Sequence, residues 1–354
     1  LRKAQVVDEE TLEWLKNYEF SGSITGYREG EIYFANSPVM TVRGTFAEAV
    51  LLETVILSIL NYDSAVASAA SRMHTAASGR FLAEMGARRA HESAAVAAAR
   101  AAFVAGFDAT SNLEAGRSWG IPTMGTSAHS FTLLHDSEKE AFEAQIASMG
   151  PDTTLLVDTY DIPAAVKMAV ELTGGKVSAV RIDSGDLGST AVEVRRQLDE
   201  LGAKQTKIVV TSDLDEYTIA ALAAAPVDRF GVGTSLVTGS GHPTAGFVYK
   251  LVAHTDGAEW TEVAKTSKAK TNRGGEKIAS RLIESGTASA ELVGSDVGRL
   301  LQVDLMSEGK ADDQYLGQKG VVAAKAHHLD AKAELPKTAL RLSKGEPAIP
   351  TIFS

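Results

Sequence analysis

The sequence predicts an α/β protein with a parallel sheet, and three observations support this class. Short apolar runs alternate with amphipathic helical segments through the middle of the chain, several of these helices begin at recognisable caps, and polar residues follow the runs. Such repeats are typical of an α/β barrel or of a doubly wound sheet, and the pattern leaves both open. The runs are Phe103–Phe107, Ile121–Met124, Thr154–Val157, Ala179–Ile182, Lys207–Val210 and Arg229–Val232.

The two ends of the chain follow a different pattern. From Phe20 to Arg43, β-branched and aromatic residues stand between glycine and proline, which predicts short antiparallel strands. Thr45–Met85 has apolar residues at helical spacing and should form helices that cover this sheet. After Gly246 the strand-like segment FVYKLVAHTDG indicates a return to this first domain.

Caps mark the helices between the apolar runs. Gly202 has the position of a helix C-terminal glycine. Capping boxes are predicted at three pairs, which are Ser137 with Glu140, Thr190 with Glu193, and Ser212 with Asp215.

The composition excludes several classes of function. A formal net charge of −10 disfavours nucleic acid as a partner, because such binding needs a basic face. The chain has no cysteine, and therefore no disulfide, thiolate metal site or cysteine nucleophile. Apolar runs such as Ala94–Phe107 are shorter than the roughly 20 residues that a bilayer requires, so we expect a soluble, cytoplasmic protein without a membrane partner. Because the first residue is Leu1, we also expect the natural N-terminus to lie upstream.

Polar residues follow every one of the apolar runs. In a barrel they would share the C-terminal rim, where enzymes of this architecture place their chemistry. A helix cap explains any single position equally well, but six strands that end alike favour a site. The residues are Asp108, Thr110, Ser111, Asn112, Gly125, Thr126, Ser127, His129, Asp158, Thr159, Asp183, Ser184, Gly185, Asp186, Thr211, Ser212, Asp213, Gly233, Thr234 and Ser235.

Three segments fit the recognition of anions. In RIDSGDLG, residues 181–188, Arg181 can fork onto a carboxylate or phosphate, while Asp183 and Asp186 can face a diol or Mg²⁺; a capped turn with a surface ion pair is the alternative. GVGTSLVTGSG, residues 231–241, has the glycines and hydroxyls of a phosphate-binding loop but neither Walker nor dinucleotide spacing, and a simple turn explains it as well. In EMGARRAHE, Arg88 and Arg89 are adjacent, and because helix neighbours point about 100° apart, only one of them should reach an anion.

His129 lies among small residues in GTSAHS, where a compact backbone could present the imidazole to a ligand. A neutral imidazole acts as a base or accepts a phosphoryl group. Most single histidines are structural, but this setting favours a functional role.

Together these segments resemble nicotinate phosphoribosyltransferases, especially the shorter bacterial type, from about Phe20 to the C-terminus. The resemblance implies the type II phosphoribosyltransferase fold, an irregular TIM-like α/β barrel at residues 103–244 with a smaller α/β sandwich built from residues 1–102 and 245–354. It also implies a homodimer with shared active sites. The segments that carry this resemblance are, in order, EMGARRA, GFDATSN, GIPTMGTSAHSF, LLVDTYD, VRIDSGDLG, VVTSDLDE and FGVGTSLVTGSGHPTAGFVYKLV.

The resemblance also implies a reaction and its residues. Phosphoribosyl passes from phosphoribosyl pyrophosphate to nicotinate, giving nicotinate mononucleotide and pyrophosphate for NAD biosynthesis, with ATP as co-substrate. ATP would phosphorylate His129, and the catalytic Asp183 would, with Asp186, hold ribose hydroxyls or Mg²⁺. The other implied substrate contacts are Thr126 and Arg181 with the nicotinate carboxylate, Asp158 and Ser111 in the pocket, Arg88 with the phosphoribosyl group or product phosphate, and Ser212, Gly233 and Thr234 with the 5′-phosphate.

The sequence departs from the family in the recognition of the pyridine ring. Met85 stands where the family usually has an aromatic residue, and we expect the segment with the ring-stacking tyrosine to lie outside this chain. Two alternatives remain: a nicotinamide or quinolinate phosphoribosyltransferase, and a barrel that binds phosphosugars without turnover. Quinolinate carries a second carboxylate and should demand more basic residues than the sequence offers.

Overall fold

A computed structural model describes residues 2–4, 6–267, 270–271 and 273–354. The chain forms two compact units. The terminal unit comprises Leu1–Ser58, Val248–Pro336 and Glu346–Ser354, and the central unit comprises Ile59–Phe247 and Lys337–Gly345.

Strands and helices alternate in the central unit, whereas strands dominate the terminal unit. In chain order the strands are β1 Ser23–Tyr27, β2 Met40–Arg43, β3 Phe81–Glu84, β4 Ala109–Thr110, β5 Thr154–Leu156, β6 Ala179–Ile182, β7 Lys207–Val210, β8 Arg229–Val232, β9 Ala253–Thr255, β10 Trp260–Glu262, β11 Thr266–Ser267, β12 Lys270–Thr271, β13 Ala279–Glu284, β14 Thr287–Val293, β15 Arg299–Leu300, β16 Gln302–Ser307, β17 Lys310–Ala311 and β18 Thr351–Phe353. The α-helices are α1 Glu9–Lys16, α2 Phe46–Ala77, α3 Glu92–Val104, α4 Leu113–Trp119, α5 His129–Leu134, α6 Glu138–Met149, α7 Ile162–Leu172, α8 Leu187–Glu200, α9 Glu216–Ala221, α10 Thr234–Val237 and α11 Gly317–Ala333.

A six-stranded parallel sheet, in the order β4-β3-β8-β7-β6-β5, forms the core of the central unit. Side chains on these strands, among them Leu82, Ile182, Ile208 and Phe230, are fully buried, as expected of a parallel sheet covered by helices. The first and last strands of the series, β3 and β8, are direct neighbours. The α/β class predicted from the sequence is confirmed, and all six carboxyl ends point to the same edge.

Two of the predicted strands differ in the structure. Phe103 belongs to helix α3, because the alanine-rich segment before it continues in helical conformation. Ile121–Met124 makes only a single bridge, between Thr123 and Thr110 of β4. The sequence pattern also missed β3, because its residues were included in the helical segment predicted at Thr45–Met85, whereas α2 ends at Ala77. The runs at β5 to β8 are confirmed.

The predicted caps are right in part. Ser137 caps α6 by accepting a hydrogen bond from the Glu140 amide. Asp186 caps α8 instead of Thr190, and Asp215 caps α9 instead of Ser212. In both errors the aspartate immediately precedes the first helical residue, and at α8 it is also a stronger cap than threonine.

Helix α2 is long and apolar enough to cross a bilayer by length and composition, although the apolar runs of the sequence did not predict such a helix. Its most apolar window has a mean hydropathy of 1.5. Val66, Ala69, Ala70 and Met73, in its carboxyl half, are nonetheless fully buried in the core of the central unit. Core helices share this composition, so the helix alone is weak support for a membrane protein.

The terminal unit contains two four-stranded sheets, in the orders β17-β16-β1-β2 and β15-β13-β14-β18. A buried ionic cluster lies within this unit, and Arg281 is at its centre with no exposed surface. Arg281 pairs with Glu31 and Glu291, both at 2.8 Å, and Arg299 pairs with Glu31 at 2.7 Å. His327 Nε2 lies 2.9 Å from Glu31. The cluster comprises Glu31, Arg281, Glu291, Arg299, His327 and Glu334.

The cluster shifts the ionisation of its members. Burial by itself would raise the pKa of Glu31, but hydrogen bonds from His327 and Arg299 and the charge of Arg281 lower that pKa to about 2. Burial and the neighbouring Glu291 raise the pKa of the Tyr27 phenol. Arg281, Glu31 and Glu291 therefore form a buried centre of paired charges in this cluster.

Candidate active site

Asp158 organises the first part of a polar site at the carboxyl edge of the central sheet. It follows β5, and its carboxylate is almost completely buried. Its Oδ1 lies 3.2 Å from His129 Nε2, and its Oδ2 accepts hydrogen bonds from the Asp183 amide and the Ser184 hydroxyl, both at 2.8 Å. Asp158 therefore orients the imidazole at the start of α5 and holds the turn that follows β6.

Arg181 organises the second part of the site from β6. Its Nε donates to the Thr211 hydroxyl at 3.1 Å, its Nη1 donates to the Thr126 hydroxyl and to the Ser127 carbonyl, and its Nη2 lies 3.2 Å from Asp183. The Thr211 hydroxyl also donates to Asp183. The guanidinium is held by partners from three segments, yet 12% of the side chain is exposed, so an anionic ligand can reach it.

Gln145 supports the loop that carries Thr126 and His129. The amide of this buried residue, on α6, donates to the Thr153 hydroxyl at 2.9 Å and to the Thr154 carbonyl at 2.8 Å. Its oxygen accepts a hydrogen bond from Ser127. Every polar group of this side chain is used to tie the loop to β5.

Glu84 ends β3 as a fully buried carboxyl group. It accepts hydrogen bonds from the Gly86 amide and the Thr110 hydroxyl, and burial raises its pKa above the usual range. The Glu84 carbonyl accepts from the Ser111 amide at 2.8 Å. Glu84 thus holds both the turn that precedes Arg88 and the turn at Ser111.

The end of β8 and the glycine-rich segment that follows it pack closely against the residues after β3. A Cβ atom at Gly231 would lie 2.6 Å from the Met85 sulfur and from the Thr211 methyl group, so a larger residue would force these side chains to move. Gly233 caps the short helix α10, and Thr234 is its first residue. Ser212, after β7, has φ of +108°, a backbone conformation that serine rarely adopts and that is found preferentially at functional sites.

Asp183 and Asp186 could together hold Mg²⁺. Their carboxylate oxygens are the hard donors that Mg²⁺ prefers, and such sites often combine one or two carboxylates with substrate phosphates and water. Asp183 accepts from Thr211 and pairs with Arg181, whereas Asp186 accepts from Ser189, so both retain lone pairs. Among the described residues, no group of three or more His, Asp or Glu side chains forms a complete metal site. The donor set therefore fits an ion that is shared with a phosphate-bearing substrate.

The structure brings five predicted site residues into one hydrogen-bonded network: Thr126, His129, Asp158, Arg181 and Asp183. The other predicted residues lie at the same sheet edge, and no hydrogen bond among the described residues joins them directly to this network. They are Arg88, Ser111, Asp186, Ser212, Gly233 and Thr234.

Four residues of the site were not assigned a role from the sequence. Thr211 and Ser184 stood among the polar strand-end residues, which was the available signal. Glu84 carried the signal of a single acidic residue that ends an apolar run. Gln145 gave no signal, because its helix shows nothing unusual in sequence.

Comparison with known proteins gives a consistent set of similarities. Residues 81–281 match the nicotinate phosphoribosyltransferase (NAPRTase) family, and residues 1–61 match the NAPRTase N-terminal domain. The chain is 51% identical to nicotinate phosphoribosyltransferase pncB1 of Mycobacterium tuberculosis, over 98% of this chain and 80% of that protein. It is 39% identical to nicotinate phosphoribosyltransferase of Bacillus subtilis, over 80% of this chain and 65% of that protein.

Two solved structures share the fold. Human nicotinic acid phosphoribosyltransferase superposes with a TM-score of 0.77 at 20% identity, over 98% of this chain and 83% of that chain. Nicotinate-nucleotide pyrophosphorylase from Pyrococcus furiosus superposes with a TM-score of 0.76 at 24% identity, over 92% and 84%.

Proposed function

The chain belongs to the nicotinate phosphoribosyltransferase family, and we propose that the polar site at the carboxyl edge of its central sheet transfers phosphoribosyl from phosphoribosyl pyrophosphate to nicotinate in NAD salvage. We call it the strand-end site; its centre is the network of Thr126, His129, Asp158, Arg181 and Asp183. One observation carries this assignment to the site. Arg181, which the family match includes, presents a partly exposed guanidinium between Thr126 and Asp183. A fixed guanidinium is the group that best recognises the carboxylate of nicotinate.

The reaction exchanges one bond at the anomeric carbon. The pyridine nitrogen of nicotinate forms a bond to the anomeric carbon, while the bond between that carbon and the pyrophosphate oxygen breaks. The transition state has oxocarbenium character. Arg181 and Thr126 would hold the acceptor in line with the leaving group. Arg88 and the segments at Ser212 and Gly233–Thr234 would bind the phosphates of the donor.

The central sheet is most simply part of an irregular TIM-like barrel. In a closed barrel the first and last strands pair, and β3 and β8 do so. Thr123 forms a parallel bridge with Thr110 of β4 and so extends the sheet by one residue beyond that strand. Catalytic residues at the carboxyl ends of the strands fit this architecture, and the terminal unit would supply the sandwich domain.

Mg²⁺ would assist the departure of pyrophosphate. When bound, the ion neutralises charge on the diphosphate oxygens. Asp183 and Asp186 would hold it, and Asp183 would also face the ribose hydroxyls. The Arg181 guanidinium beside Asp183 keeps that carboxylate in position for either role.

ATP would act as a co-substrate through His129. The imidazole Nε2 faces Asp158, and no hydrogen bond of the described residues engages Nδ1. Nδ1 would attack the γ-phosphorus of ATP, the bond to the ADP oxygen would break, and Asp158 would stabilise the cationic ring through the proton on Nε2. Water would later hydrolyse the bond between phosphorus and Nδ1 and release inorganic phosphate, so that ATP hydrolysis is coupled to phosphoribosyl transfer.

A homodimer with shared active sites is supported by apolar side chains around the sheet edge. Leu113, Leu133, Leu134 and Tyr160 are all more than half exposed. Apolar groups in such number beside a polar site are typical of an interface. Cross-linking and light scattering would detect the dimer.

A direct assay separates the candidate activities. The purified chain is incubated with phosphoribosyl pyrophosphate, Mg²⁺ and ATP, together with nicotinate, nicotinamide or quinolinate in turn. We expect nicotinate mononucleotide from nicotinate alone. Product from nicotinamide or quinolinate but none from nicotinate would overturn the substrate, and donor binding without any product would favour the phosphosugar-binding barrel.

His129→Asn tests the role of ATP. We expect this variant to lose labelling from γ-labelled ATP and the stimulation by ATP, while a slow basal transfer remains. His135→Asn is a matched control, because His135 ends the same helix and its Nδ1 contacts the Phe131 carbonyl instead of a carboxylate. Undiminished labelling of His129→Asn would move the phosphorylated residue elsewhere.

A further inference from the structure

The turn at residues 239–241 has an unusual backbone. Gly239, Ser240 and Gly241 have φ of +59°, +53° and +84°, so all three lie in the left-handed region. Glycine adopts this conformation readily, whereas a residue with a side chain is disfavoured there. Serine at the middle position therefore costs stability, unless its side chain makes a contact that glycine could not make.

That contact is with a buried carboxylate. The Ser240 hydroxyl donates to Glu216 Oε2 at 2.7 Å, and Arg72 Nε donates to Glu216 Oε1 at 2.8 Å. Only 3% of the Glu216 side chain is exposed. Both carboxylate oxygens are thus satisfied, and one buried group joins helix α2, the start of α9 and the turn after α10.

The position of Glu216 connects two segments of the proposed donor site. Glu216 is the first residue of α9 and follows Ser212 by four positions, whereas Ser240 follows Thr234 by six. Ser212 and Thr234 belong to the loops proposed to bind the 5′-phosphate. A carboxylate that ties both loops would fix the spacing between their phosphate-binding groups.

We propose that Glu216 and Ser240 are positioning residues for the 5′-phosphate of the phosphoribosyl donor, an inference that rests on the proposed function. Neither side chain touches the phosphate. The Glu216–Ser240 hydrogen bond holds the two loops at the separation that one phosphate group requires, and the contact with Arg72 holds the carboxylate in place.

The test uses ribose 5-phosphate as the probe and calorimetry as the readout. Ser240→Gly removes the hydroxyl while glycine retains the left-handed backbone, so this variant should fold like the parent. We expect the Kd for ribose 5-phosphate to rise about tenfold in Ser240→Gly and in Glu216→Gln, and by no more in the double variant, since both changes break the same link. The KM for nicotinate should stay within about twofold.

Asp228→Asn is the control. Asp228 pairs with Lys207 at 3.0 Å, at the opposite end of β7 and β8, and the variant should bind ribose 5-phosphate like the parent. Unchanged affinity in Ser240→Gly, effects that multiply in the double variant, or failure of the parent to bind ribose 5-phosphate would each overturn the inference. If the parent binds this probe and the variants weaken binding, yet nicotinate is not converted, the proposed function fails and the positioning role stands.

Discussion

The buried ionic cluster of the terminal unit and the strand-end site of the central unit each set an arginine beside carboxylates. Arg281 has no exposed surface and pairs with Glu31 and Glu291. Arg181 keeps 12% of its side chain exposed and pairs with one carboxylate, Asp183, while hydroxyl groups occupy its other nitrogens. The same residue types are thus found in two settings. Arg281 is fully buried between two carboxylates, whereas Arg181 is partly exposed and has mainly uncharged partners.

The difference indicates what each arrangement can do. Arg281 and its partners Glu31 and Glu291 leave almost no surface that a substrate could reach. These desolvated charges depend on one another, so removal of one partner is costly. The partners of Arg181 are mostly neutral hydroxyls that a substrate carboxylate can outcompete or join. We therefore expect changes in the buried cluster to affect stability, and changes around Arg181 to affect catalysis.

Glu31→Gln should have the largest effect, on stability. The pKa of about 2 for Glu31 corresponds to roughly 3 kcal/mol of stabilisation at neutral pH. We expect urea denaturation at pH 7 to show a loss of about this size, with kcat unchanged at low temperature. The control Glu334→Gln should cost less, because this carboxylate is partly exposed. A fall in kcat with an unchanged free energy of unfolding would mean that Glu31 serves catalysis instead of stability.

The pH dependence of the free energy of unfolding should show the contribution of Glu31. The pKa of Glu31 is lower in the folded chain than its ordinary value of 4.5, so the ionised form stabilises the fold. This contribution is present above about pH 4.5 and is lost as the pH falls toward 2. Denaturation curves of the parent and of Glu31→Gln should therefore converge over this range. A constant difference would argue against the ionised carboxylate as the cause.

Arg181→Ala should affect catalysis more than stability. Loss of a charge-assisted contact with substrate corresponds to roughly a 100-fold fall in kcat/KM for nicotinate. The KM for nicotinate should rise much more than that for the donor in initial-rate measurements. Arg195→Ala, which removes a pair with Asp199 on α8, serves as the control and should leave both KM values unchanged. An unchanged KM for nicotinate in Arg181→Ala would move the carboxylate contact elsewhere.

Thr126→Val should have the smallest effect. Valine keeps the shape of threonine but removes the hydroxyl that accepts from Arg181. One hydrogen bond of about 1 kcal/mol corresponds to roughly a fivefold rise in the KM for nicotinate. Steady-state kinetics should show this change with the KM for phosphoribosyl pyrophosphate unaltered. An effect as large as that of Arg181→Ala would mean that Thr126 itself is the main contact.

Local chemistry explains which parts of the fold could be predicted. The strands β5 to β8 were visible as apolar runs, and the Ser137 cap was visible because its partner lies three residues away. Strand β3, the first of the central sheet along the chain, was missed because its residues were included in the helical segment predicted at Thr45–Met85. Phe103–Phe107 was assigned wrongly, since the helix propensity of the alanine-rich segment extends through Phe103.

The sequence by itself determined the α/β class, the polar character of the strand ends and the family resemblance, because all three depend on short segments. Only the tertiary structure decided which polar residues meet. His129 and Asp158 are separated by 29 positions, and Arg181 and Thr126 by 55. It also revealed that Arg281, which is completely buried and paired with Glu31 and Glu291, belongs to the terminal unit and not to the strand-end site. Contacts across such separations depend on how the strands are ordered in the sheet, and no local pattern records that order.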